Sequence, residues 1–66
     1  MNEDLRAALI LTYKGQIAAA HANIQVYLRH PAGIGDHSNI VAAIDEQVEI
    51  ASNSQEKLDW ISCLEY

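Results

Sequence analysis

The chain has little that would staple it together or carry chemistry. It has one cysteine, Cys63, so no disulfide can form within it. A lone thiol fits a reducing compartment better than a secreted one. It has only four Lys and Arg residues against nine Asp and Glu, for a formal net charge of −5. That shortage of cations argues against non-specific binding to nucleic acid, where phosphates must be neutralised. It equally disfavours anionic membrane surfaces. No apolar run approaches the ~20 residues that span a bilayer. The start, Met1-Asn2-Glu3-Asp4, is acidic where a secretory signal is basic. The expectation is a cytoplasmic protein (host cytoplasm or virion if the gene is viral) with neither nucleic acid nor membrane as partner.

Reactive constellations are missing too. His30, Asp36 and His37 are metal-ligand types within eight residues. Their spacing is neither that of a zinc finger nor a helical H-E-x-x-H. The Gly-x-Gly at Gly33 and Gly35 follows no strand and precedes no Walker lysine, so it is a poor anion loop. Cys63 has no neighbouring histidine or second cysteine, which argues against a catalytic thiolate. No nucleophile, base and orienting group come together in the pattern. The chain is therefore read as non-enzymatic, with no catalytic, cofactor-binding or metal-binding residues.

What is present is helix. The only proline and two of the three glycines fall within His30-Pro31-Ala32-Gly33-Ile34-Gly35-Asp36-His37. Pro31 cannot continue a helix, and it pushes His30 away from helical dihedrals. Gly33 and Gly35 can take positive φ without steric cost. Ile34 between them is expected to fold inward as a plug. Asp36 and Ser38 are competent caps for a following helix. The segment thus reads as a turn between two helices of about 3–29 and 38–65. Residues 1–66 form a single helical-hairpin domain in this reading, with the turn at 30–37.

The segment from Val26 to Ile44 carries a resemblance. Its centre, Tyr27-Leu28-x-His-Pro-Ala-Gly-Ile-Gly-Asp-His-Ser-Asn-Ile-Val, resembles a stretch in short uncharacterised proteins of tailed bacteriophages, marine cyanophages among them. Those carry Asn-Pro-Val-Gly-Ile-Gly-Glu-His-Pro-Asp between two predicted helices. Pro31, Gly33, Ile34, Gly35 and His37 match that pattern, while Ala32, Asp36 and Ser38 depart from it. The match covers under a third of the chain strongly. It implies a helical hairpin and a phage origin, and no particular activity.

Asn2 can cap the first helix, with Glu3 and Asp4 beside its positive end. Ile10, Tyr13, Ile17, Ala20, Ile24 and Tyr27 then recur at spacings of three and four, which marks a seam for one partner helix. His21 sits beside that seam as a hydrogen-bonded edge residue. Ala8, Leu11, Gly15, Ala18, Ala19, Ala22 and Val26 lie on roughly the opposite side, and most are small. A helix apolar on two sides is normally buried on both. This second face is read as an oligomer interface, formed by Ala8, Leu11, Gly15, Ala18, Ala22 and Val26 together with Trp60.

In the second helix the expected seam is Ile40, Val41, Ile44, Val48, Ala51, Leu58 and Ile61, widened by Ala43 and Ile50. Asp45, Glu46, Glu49, Glu56 and Asp59 share the other side. Such a run is read as a solvated face that also suits a basic partner. Ser52-Asn53-Ser54 is a weak patch for helix, since these side chains compete for backbone hydrogen bonds. Ser52 with Gln55 even resembles a capping box. One continuous helix is expected nonetheless, with Gln55 as a polar seam position. Trp60 is expected either in a subunit contact, where tryptophan is enriched, or against Leu5 and Leu9 of its own chain.

Half of the 66 residues are hydrophobic, and two helices bury only one stripe each. A chain this small hides a modest share of its surface alone, and small scaffolds commonly oligomerise. The fold class is all-α: an antiparallel two-helix hairpin that dimerises into a four-helix bundle. The expected function is a self-associating structural or protein-interaction module, in the setting of a phage accessory protein. The alternative is an acidic regulator that binds a basic, nucleic-acid-binding protein.

Overall fold

The computed structural model describes residues 2–30 and 39–64. Two helices, α1 (Glu3–Arg29) and α2 (Ile40–Cys63), pack against each other as a hairpin. No strand occurs among the described residues.

Local chemistry sets the ends of α1. The Oδ1 of Asn2 accepts from the N–H groups of Asp4 at 2.7 Å and Leu5 at 3.3 Å. Two of the otherwise orphaned first-turn donors are thereby satisfied. Glu3 and Asp4 meet the positive end of the helix dipole, and Arg29 meets the negative end. His30, next to Pro31, leaves helical geometry at φ −134° and ψ 66°, while its N–H still donates to Val26 O at 2.8 Å. The second helix begins one residue after Asn39 and ends where Leu64 turns extended. It therefore lies inside the expected span of 38–65. It runs unbroken through Ser52, Asn53 and Ser54.

The α1 seam is the expected one. Ala20 is buried, and Ile10, Tyr13, Ile17, Ile24 and Tyr27 are all partly buried. Leu9 and Arg6 extend it towards the N-terminus.

The α2 seam differs from the expected one. Val41 is 77% exposed, and Val48 and Ile50 are also exposed. Gln55 is exposed and donates from Nε2 to Asp59 Oδ1 at 3.0 Å. The residues that face α1 are Ile40, Ile44, Gln47, Ala51, Ser54, Leu58 and Ile61, with Ala43 at the edge. These follow an unbroken alternation of four and three. The observed stripe shares Ile40, Ile44, Ala51, Leu58 and Ile61 with the expected one. It turns Val41 and Val48 out. It also admits two polar residues, each matched across the seam. Ser54, only 3% exposed, donates from Oγ to Gln16 Oε1 at 2.9 Å. Asn23 donates from Nδ2 to Gln47 Oε1 at 3.1 Å. No buried side-chain nitrogen or oxygen among the described residues is left unsatisfied. A buried polar group with its partner in place costs little; without it, roughly 1–3 kcal/mol is lost.

The result is a rod of 48 × 15 × 13 Å with a Cα radius of gyration of 14.9 Å. A compact domain of this length has a radius of about 11 Å. So the molecule is one helix long, two helices wide and one helix thick, with no third layer to cover its sides.

Candidate interaction surfaces

Arg6 lies at the open end of the rod, one heptad before Tyr13 on the same stripe. Its guanidinium reaches across to α2. Nε donates to Ile61 O at 3.2 Å and Nη2 to Ser62 O at 2.9 Å. These are carbonyls of the last turn, which have no acceptor role left inside the helix. A cation there also meets the negative end of the α2 dipole. Further in, Lys57 Nζ lies 5.9 Å from the Tyr13 ring centroid, within cation–π reach. Arg6 did not stand out in the sequence, because an arginine at a seam position reads as an interruption. Its signal was its register with Ile10 and Tyr13. Gln16, Asn23, Gln47 and Ser54 were missed for the same reason: each is polar where the seam was sought in apolar residues.

The residues marked out for an oligomer contact fall on two separate surfaces. Ala8, Leu11, Gly15, Ala18, Ala22 and Val26 are all exposed and lie along the side of α1 turned away from α2. Leu11 is 69% exposed, and nothing lies within 4 Å of where a Cβ on Gly15 would stand. Trp60, 63% exposed, belongs to the outward side of α2 instead. There it borders a shallow depression of about 200 Å3 with Glu56, Asp59 and Cys63. Leu5, its expected neighbour within the chain, is likewise exposed, while Leu9 is partly buried. The Cys63 thiol is exposed and donates to Trp60 O at 3.2 Å. A wider, shallow groove of about 510 Å3 runs along one edge of the hairpin, with Ile17 and Ala51 at its base and Ser52, Gln55, Glu56 and Asp59 around it.

Asp45, Glu46, Glu49, Glu56 and Asp59 are all exposed. The outward side of α2 is therefore a carboxylate face that α1 leaves uncovered. Among the described residues no three His, Cys, Asp or Glu side chains are grouped to hold a metal ion. His21 and His30 are both exposed. No helix of the described residues is long and apolar enough to cross a membrane. Pro31, Gly33, Ile34, Gly35, Asp36, His37 and Ser38, with the Ile34 plug and the caps expected there, lie outside the described residues.

Comparison with family models, curated proteins and solved structures returns no match.

Proposed function

We propose that this chain is a small non-enzymatic structural or protein-interaction module, and that its hairpins self-associate into a four-helix assembly. One observation carries the reading. Among the described residues only Ala20, Ser54 and Ile61 are buried, while Leu5, Leu11, Val26, Leu28, Val41, Val48, Ile50, Trp60 and Leu64 are exposed. The accessible area is 4766 Å2, against about 4,200 Å2 for a folded monomer of this mass. Apolar area left in water forgoes roughly 25 cal/mol per Å2. A second copy is the partner always at hand to cover it. The resemblance of the turn to short tailed-phage proteins supports an accessory role in a phage as the setting.

Light scattering across a concentration series tests this. The expected result is a mass of two hairpins that persists on dilution. A well-folded species of 7.3 kDa at every concentration would refute self-association.

The exposed carboxylates of α2 favour a second reading, an acidic regulator of a basic, nucleic-acid-binding protein. Its mark is binding that weakens steeply as salt screens the charges. Binding to a basic partner that is insensitive to salt would refute it.

A further inference from the structure

Self-association leaves open which face pairs and in what register. Resting on that reading, we propose that the outward side of α1 docks antiparallel on the same side of a second copy. The two-fold axis passes between Gln16 and Ile17, and the four helices lie side by side in the order α2–α1–α1–α2.

The face is self-complementary in charge and in size. It begins with Asp4 and ends with Arg29, both exposed. In an antiparallel pair about that axis, Asp4 lies level with the second copy's Arg29, and Arg29 with its Asp4. Leu11 falls level with the second copy's Ala22, and Ala8 with its Gln25 and Val26. Gly15 meets Ala18 beside the axis. Each bulky side chain thus faces a small one, and each end charge faces its opposite. A parallel pairing through the same face fails on both counts. It sets Asp4 against Asp4, Arg29 against Arg29 and Leu11 against Leu11.

A closed four-helix bundle would use a different surface. It needs a contact about 90° round each helix from the hairpin seam. The outward side of α1 is roughly opposite the seam, so pairing through it extends the hairpin into a flat layer. The hairpin has two edges suited to a closed bundle. One carries Leu28, Val41 and Val48 near the turn, and Lys14, His21, Gln55 and Ser62 along the rest of its length. The other carries Leu9, Ala43 and Ile50, interrupted by Gln16, Asn23 and Lys57. Neither offers an unbroken apolar stripe. In the layer both carboxylate faces of α2 are left at the outer edges, far from each other.

Cysteine cross-linking in a Cys63→Ser background tests the register. Leu11→Cys and Ala22→Cys are made as separate proteins, since both sites are exposed and tolerate change. Circular dichroism checks that each stays helical. In the proposed register the two variants, when mixed and oxidised, form a disulfide with each other. Neither forms one with itself, because like positions lie about 16 Å apart along the axis, beyond the ~7 Å Cα limit for a bridge. As a second readout, Asp4→Arg and Arg29→Asp each shift the assembly towards monomer by at least tenfold in dissociation constant. The double variant regains assembly, although it keeps both unfavourable charges at the helix ends. A dimer mass with no unlike-pair cross-link overturns this register and leaves self-association standing. A monomer mass at all concentrations overturns both.

Discussion

The two helices do opposite things with the sides they turn away from each other. The outward side of α1 is mostly Ala, Gly, Leu and Val, with Thr12 and Gln25 among them, framed by one charge at each end. The outward side of α2 carries Asp45, Glu49 and Glu56. Both are exposed to the same degree of neglect by the hairpin itself, so burial does not separate them. Composition does. Like-charged carboxylates on a helix face repel a second copy of that face, whereas small apolar residues welcome close approach by a second helix. Two helices of one hairpin have thus divided the labour, with association on α1 and solvation on α2.

The comparison can be broken at several points. The largest effect is expected where the two helices meet. Ile61→Ala removes one of the few buried apolar side chains, beside the Arg6 contact. A loss of about 2–4 kcal/mol is expected, enough to leave a domain this small largely unfolded. Thermal melting followed by circular dichroism measures it, and an unchanged midpoint would show that the open end of the rod contributes no stability.

Next come the outward faces themselves. Ala18→Glu or Ala22→Glu on α1 should dissociate the assembly while helix content stays the same. The matched change on α2, Glu49→Ala, should leave the mass as it was. Light scattering of the three variants sharpens the contrast between the helices. Dissociation by the α2 variant instead would reverse it.

Arg6→Ala is expected to cost about 1–2 kcal/mol, since two hydrogen bonds from a partly exposed cation are lost. Hydrogen exchange should show the effect in the last turn of α2 before anywhere else. Ser54→Ala should be the smallest change, roughly 0.5–1 kcal/mol by denaturant titration. The lost bond to Gln16 is offset in part by the better helix propensity of alanine. A gain in stability would mean that the polar pair serves register alone.

The hairpin, its two helices and the α1 seam were legible in the sequence. Ile10, Tyr13, Ile17, Ala20, Ile24 and Tyr27 carry the larger side chains at unbroken three- and four-residue spacing, while most of the opposite face is Ala and Gly. The α2 seam was largely legible: Ile40, Ile44, Ala51, Leu58 and Ile61 were expected on it and lie there. Hydropathy also drew in Val41 and Val48, where the structure uses Gln47 and Ser54. What decides is a fact about the other helix: Gln16 and Asn23 stand one heptad apart, where they complete the hydrogen bonds of Ser54 and Gln47. Single-helix periodicity cannot contain that information. The exposed character of the α1 outward face was legible only as a choice of small residues. Trp60 lies apart from that face, since its angle on α2 sets it on the other side of the rod.

The paired polar residues have a consequence for how the chain reads its own alignment. Gln16 with Ser54 and Asn23 with Gln47 act like two marks on a vernier. Slide α2 by one heptad and Gln16 still finds an amide, in Gln47, but Asn23 is brought to Ile40 and Ser54 loses its acceptor. On α1 the slip exchanges Ile10, Ile17 and Ile24 for one another, so those positions read the same in either alignment. Asn23 and Ser54 do not. Two polar pairs, set in a stripe that hydropathy alone would fill with valine, thus mark one alignment where the repeated isoleucines would accept another.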